Sequence, residues 1–194
     1  MLETLENIDK FLFLLVNNAR TSFLDAIIPY VTQFPYWTPF FALIIYFLYK
    51  QFQKKIILVV ACFAVLIAIS DPTANLIKKS VKRYRPTHNT EIATQVKTID
   101  DYKGGQYGFV SSHAANSFGI AFLLLFLLKP NYPLLKISVF MWALFISYTR
   151  IYLGVHYPAD IIGGAIVGAF AAFITYRLFL FLEKKFYIEP INTH

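Results

Sequence analysis

Five apolar runs set the rhythm of the chain. Tyr36–Tyr49 begins behind FPYWTPF and stops at KQFQKK. Ile56–Ile69 continues past Asp71 and Pro72 into TANLIKK, Ala114–Leu128 ends at KPNYP, Leu134–Tyr148 follows it, and Ile161–Leu182 ends at EKK. A helix needs about 20 residues to cross a bilayer. Several of these runs reach that length only with their polar ends, so those ends are expected in protein or in a wet cavity. The N-terminal part differs. KFLFLLVNNARTSFLDAIIPYVTQF holds two short apolar pieces split by NNARTS, neither long enough to span. They read as helices lying in the membrane interface and packed on the bundle, with one broken span as the alternative. The pattern predicts an all-α fold: a polytopic membrane helical bundle of about five or six spans with N-terminal interfacial helices, the whole of residues 1–194 forming one integral-membrane domain.

Three polar clusters punctuate the runs: KKSVKRYRP at 78–86, VSSHAANS at 110–117 and TRIYLGVHYPAD at 149–160. The first and second are joined by a long polar loop, Thr87–Val110, and loops of that length in a compact domain are usually functional. The second and third are separated by two spans, which return the chain to the side it left. All three clusters are therefore expected at one membrane face. The Lys-bearing turns at Lys50–Lys55 and Lys129–Lys136 and the tail at Lys184–Lys185 place the opposite face in the cytoplasm, which puts the long loop and the clusters outside.

Composition narrows the function classes. The chain is 57% hydrophobic and only 15% charged, more apolar and less charged than an ordinary globular domain. Its net charge of +7 has no soluble domain in which to meet nucleic acid and is read as meeting lipid phosphates. The single cysteine, Cys62, excludes an intramolecular disulfide, and no Cys/His zinc spacing is present. No cleavable signal peptide is evident, since the run Phe11–Val16 is short and follows acidic residues.

The clusters carry a coherent chemistry. His156 and Asp160 are four apart, one helical turn on the same face, with Pro158 in the first turn, where it is tolerated. A carboxylate there can hold one ring nitrogen and present the other as a nucleophile. Lys78 and Arg85 are seven apart, two turns if the helix continues, and Arg150 completes a set of three cations. Converging cations need an anion, and arginine forks suit phosphate oxygens. Ser111, Ser112 and the N–H groups opening the helix after Val110 add donors. There is one orienting carboxylate and no carboxylate cluster of the kind that holds magnesium, so phosphoryl transfer without metal or other cofactor is expected. His156 and Asp160 alone would equally suit an ion pathway; three cations and two serines do not suit a cation path. Lys79, Lys82 and Arg83 read as snorkelling residues, Tyr36, Trp37 and Tyr157 as interface anchors, Asn116 and Ser117 as helix-packing groups, Gly163, Gly164 and Gly168 as close helix contacts, and Asp100 and Asp101 as solvated loop. Asp71 has no evident partner beyond a cap or a lysine.

Lys78-x6-Arg85-Pro86, Ser111-Ser112-His113 and Arg150-x5-His156-x3-Asp160 together resemble the three-part signature of the type 2 phosphatidic acid phosphatase superfamily, which includes membrane lipid phosphatases and soluble vanadium haloperoxidases. The resemblance implies that His156 attacks phosphorus and forms a phosphohistidine, that Asp160 orients it, and that His113 protonates the leaving oxygen and then activates water. Lys78, Arg85, Ser111, Ser112 and Arg150 would hold the phosphoryl oxygens. The second motif departs from the family's usual Pro-Ser-Gly-His, reading Val110-Ser111-Ser112-His113; Thr149 stands where the third motif usually has Ser; and Thr87-His88 follow Pro86, His88 being a candidate head-group contact. The implied protein is a multi-pass lipid phosphatase of a bacterial cytoplasmic membrane, its site facing the periplasm or outside, its partners the bilayer and a lipid phosphate, with no obligate protein partner evident. Undecaprenyl diphosphate is the first expected substrate. Phosphatidylglycerol phosphate, phosphatidate and lipid A 1-phosphate are alternatives, as is transfer of the phosphoryl group to another lipid.

Overall fold

The structure is a computed structural model and describes residues 2–187; residue 1 and residues 188–194 of the expected domain lie outside the described residues. Seven α-helices follow in order: α1 (Leu2–Asn18), α2 (Ser22–Val31), α3 (Thr38–Phe52), α4 (Ile56–Val81), α5 (Ser112–Leu127), α6 (Pro133–Tyr152) and α7 (Pro158–Tyr187). The starts are written in the sequence. Thr21 caps α2 through Leu24 N–H and Ser111 caps α5 through Ala114 N–H, while α6 and α7 each open on a proline that lacks only a donor the helix does not need there. Apart from an isolated antiparallel bridge between Tyr84 and Tyr107, no β-pairing occurs among the described residues.

Contacts at the two ends fix the directions of α3–α7. At one end Gln51 donates to Leu127 O and Lys55 pairs with Glu183. At the other, Lys78 reaches Ser112 and Ser111 N–H donates to Asp160 O at 2.9 Å. Five helices thus run between the same two ends, with α3 and α4 reversing at Gln53, whose φ is 48°. By length and apolar content three helical runs qualify as spans, Phe34–Val81 counting as one run, and a fourth if α1 and α2 are joined. Those two meet at 107° and lie over the site end. α1 turns Leu5, Ile8, Phe11, Leu12 and Leu15 outward and Phe13 inward, the face pattern expected of an interfacial helix. The outer surface of the bundle is likewise apolar. On α7, Ile162, Ile166 and Phe170 point outward, each more than 60% exposed, which suits lipid and not water.

The centre of the bundle is the α5–α7 contact. A Cβ on Gly164 would lie 2.5 Å from Ser111 O, and one on Gly168 would strike Ala115 O and Gly119 N. The glycines allow backbone-to-backbone packing of the kind used between membrane helices. The consequence is functional: the start of α5, with Ser111–His113, is pressed against the start of α7, with Asp160.

Candidate active site

His156 sits in the short link between α6 and α7, 2% exposed, its Nδ1 3.3 Å from Asp160 Oδ2. The pairing arises differently from the helical stacking expected from the spacing. α7 begins only at Pro158, so His156 precedes the helix. Asp160 is the third helical residue, and its carboxylate reaches back to accept Tyr157 N–H at 3.0 Å, as in one half of a capping box. The same oxygen faces the histidine. Asp160 is fully buried, and its other oxygen accepts from Arg83 Nη1 at 2.9 Å.

Arg83 corrects the sequence reading. It does not snorkel. Its second nitrogen, Nη2, donates to Asp9 Oδ2 of α1 at 2.6 Å, and its guanidinium lies 4.2 Å from the centre of the Tyr157 ring. Asp9 Oδ1 in turn accepts Ala159 N–H at 2.9 Å, helping to cap α7 from another helix. Tyr157, expected at the interface, is 1% exposed, packs edge-on against Phe13 and accepts from Asn89 Nδ2.

The helix does not continue from Lys78 to Arg85. Lys82 takes the left-handed conformation that ends α4, and the chain turns to run beside the end of the long loop. Arg85 N–H donates to Gln106 O, Gly108 N–H to Arg83 O, and Arg85 Nε to Tyr107 O. Gly108 lies so close to the dyad that a Cβ there would stand 2.8 Å from Asp160 Oδ2, 3.2 Å from Arg85 Cγ and 3.6 Å from His156 Nδ1. The long loop therefore does more than connect: it aims Arg85 and roofs His156. Gly108→Ala is expected to lower kcat by about tenfold or more through displacement of the dyad, measured by phosphate release beside a thermal melt of the same variant.

The remaining expected residues come to the same place. Lys78 is half-buried and donates to Ser112 Oγ. Ser111, expected to meet phosphate, is instead fully buried, and its hydroxyl accepts Ala114 N–H as the α5 cap, while Ser112 lines a cavity. Arg150 is 4% exposed; it donates to Thr32 Oγ1 at 2.9 Å and to Tyr102 OH at 3.2 Å, and its buried Nε has no partner. Thr32, Tyr102 and Asp9 have no motif around them and were invisible in the sequence. His113 forms a wall common to two cavities. One, of about 490 Å³, is lined by Arg150, Tyr102, Asp100 and Gln33, so Asp100 faces a cavity although it read as plain loop. The other, of about 410 Å³, runs between helices past Asp71, Asn116, Ile67, Ile120 and Trp142. His88 bonds Thr87 and lies with Lys82 and Glu91 in a separate surface hollow.

Burial pushes the His156 imidazole down to about 4; Asp160 pulls against burial, while Arg85 and Arg150 add to it. The ring is therefore neutral from about pH 5 upward, its second nitrogen carrying a free lone pair. A ¹⁵N-imidazole NMR titration of the free protein is expected to find His156 neutral at pH 5.5, where an unperturbed histidine is mostly protonated.

Residues 56–184 match the PAP2 superfamily model. The lipid A 4'-phosphatase of Bacteroides thetaiotaomicron is 38% identical over 91% of this chain and 79% of its own length. The undecaprenyl-diphosphatase of Sulfolobus acidocaldarius is 24% identical over 86% of this chain and 76% of its own length. The crystal structure of Aquifex aeolicus LpxE superposes with a TM-score of 0.65 at 26% identity, covering 86% of this chain and 93% of that one.

Proposed function

Because the chain belongs to the PAP2 superfamily, as a membrane lipid phosphatase, we propose that it hydrolyses a terminal phosphate of a membrane lipid through a phosphohistidine at His156. The observation that carries this reading is the buried His156–Asp160 pair, with Arg85 and Arg150 close enough to act on His156 and Lys78 on Ser112 beside His113. The neutral His156 attacks phosphorus as the P–O bond to the lipid breaks. His113, on the wall of both cavities and entering as imidazolium beside the bound phosphate anion, gives its proton to the leaving oxygen and becomes neutral. It then takes a proton from water as water attacks the phosphohistidine, releasing phosphate and restoring His156. Lys78, Arg85, Arg150, Ser112 and the opening N–H groups of α5 meet the phosphoryl oxygens, and Ser111 holds that helix start in place. The groups that meet the phosphoryl oxygens are all donors, and this donor set neutralises the phosphoryl charge.

For the substrate, the 38% relative acts on lipid A by its name, and this replaces undecaprenyl diphosphate as the first reading. Undecaprenyl diphosphate stays as the second, favoured by the Sulfolobus relative. We read the membrane as a bacterial cytoplasmic one with the site at its outer face, a reading supported by Lys50, Lys54, Lys55, Lys184 and Lys185 at the opposite end. The test is phosphate release in detergent with EDTA present, from lipid A, undecaprenyl diphosphate, phosphatidylglycerol phosphate and phosphatidate, with His156→Ala as control. Release that survives EDTA and vanishes in the variant is expected, with lipid A fastest. Release that EDTA abolishes, or that the variant retains, contradicts the reading.

A further inference from the structure

The cavity between α4 and α5 is graded with depth. Lys78, Asp71 and Ile67 share one face of α4, and Ser112, Asn116 and Ile120 share one face of α5. The two faces meet in rungs. Lys78 bonds Ser112 at the top. Below it Asn116 Nδ2 lies 3.5 Å from Asp71 Oδ1, and Asn75 Nδ2 donates to Asp71 Oδ2 at 3.1 Å. Below that, Ile67 and Ile120 line the same cavity. At about 1.5 Å per residue the Asp71–Asn116 rung lies about 6–11 Å below the phosphate-binding rung, and the isoleucines about 6 Å deeper.

From this order we infer that Asp71 and Asn116 form a subsite for the polar carrier of the phosphate, a hydroxyl- or amide-bearing ring such as a sugar, placed between the phosphate and the lipid chains. The inference rests on the lipid-phosphatase reading and names its substrate class. Asp71 is half-buried on a membrane helix, and each of its oxygens, bonded once within the protein, can accept another donor. A sugar hydroxyl supplies that donor. A phosphate carried directly on a hydrocarbon chain would instead lay methylenes against the carboxylate and strip its remaining water, which costs free energy. Polyprenyl diphosphates fit less well for the same reason, and their second phosphate would also face a like charge.

The test compares kcat/KM for two synthetic lipids of equal chain length, an octadecyl glucosaminide 4-phosphate and octadecyl phosphate, in wild type, Asp71→Asn and Asn116→Ala. Wild type is expected to favour the sugar phosphate at least about tenfold, one to two charge-assisted hydrogen bonds in size. Each variant is expected to shrink that ratio at least about threefold. A rung that only braces the helices would lower both rates together and leave the ratio unchanged, which overturns the inference while leaving the phosphatase intact. A wild-type ratio near one overturns it as well. Failure to release phosphate from either lipid, or from the panel above, removes the lipid-phosphatase reading and the subsite with it.

Discussion

His156→Gln is expected to lower kcat at least about 10³-fold while leaving the folded protein and its affinity for inorganic phosphate nearly unchanged. The substitution removes the nucleophile, and loss of a covalent nucleophile is among the largest single effects in catalysis. It should not unfold the site. Glutamine has a similar length, and its amide can donate to Asp160 Oδ2, which the imidazole now faces at 3.3 Å. The groups proposed to hold phosphate, Lys78, Arg85 and Arg150, stand on α4, the following loop and α6, so anion binding is not expected to depend on His156. Phosphate release, a thermal melt in detergent and competitive inhibition by phosphate check the three parts separately. Near-native turnover would remove His156 as the attacking group.

Asp160→Asn should be the next largest loss, about 10²-fold in kcat with a small change in KM. The two oxygens of Asp160 face three groups: Arg83 Nη1, Tyr157 N–H and the His156 ring. An asparagine can accept on only one side, so one position must set a donor against a donor. Either His156 loses its orientation or Arg83 loses a partner that is fully buried. Misplacing a nucleophile by about 1 Å costs on the order of 10²-fold, equal to about 2.7 kcal/mol at about 1.36 kcal/mol per tenfold. Arg83→Met should move in the same direction, because it leaves the carboxylates of Asp160 and Asp9 facing each other without the cation between them. Steady-state kinetics on the tightest lipid of the panel give kcat and KM separately. A variant that changes KM alone would assign Asp160 to binding and not to aiming His156.

The bundle was legible in the sequence because its cause is one-dimensional. Each of the five apolar runs became one of the helices α3–α7, and the parity of spans between clusters put all three motifs at one end. The residues of the motifs were equally legible, since their spacing within each cluster is local. What could not be read depends on where the chain turns. The positive φ of Lys82 ends α4 before Arg85. That single turn takes Arg83 from the membrane surface to a place between Asp9 and Asp160, 74 residues before it and 77 after. No periodicity signals that bond. The same holds for Thr32 and Tyr102 on Arg150 and for Gly108 on the dyad: each comes from a segment whose local pattern is ordinary. Tyr157 read as an anchor because aromatic residues near span ends usually are. It is buried because α1 folds over it and brings Phe13 to its ring.

The central claim is that the phosphoryl group passes through His156, and rapid-quench labelling tests it directly. The protein would be mixed with ³²P-labelled lipid phosphate, quenched in alkali, where phosphohistidine survives, and digested with trypsin. Cleavage after Arg150 and Arg177 isolates His156 in the peptide 151–177, apart from His113. Acid-labile label is expected on that peptide, rising before phosphate release and absent in His156→Gln. Label on the peptide containing His113, or turnover with no labelled peptide at any quench time, would contradict the claim.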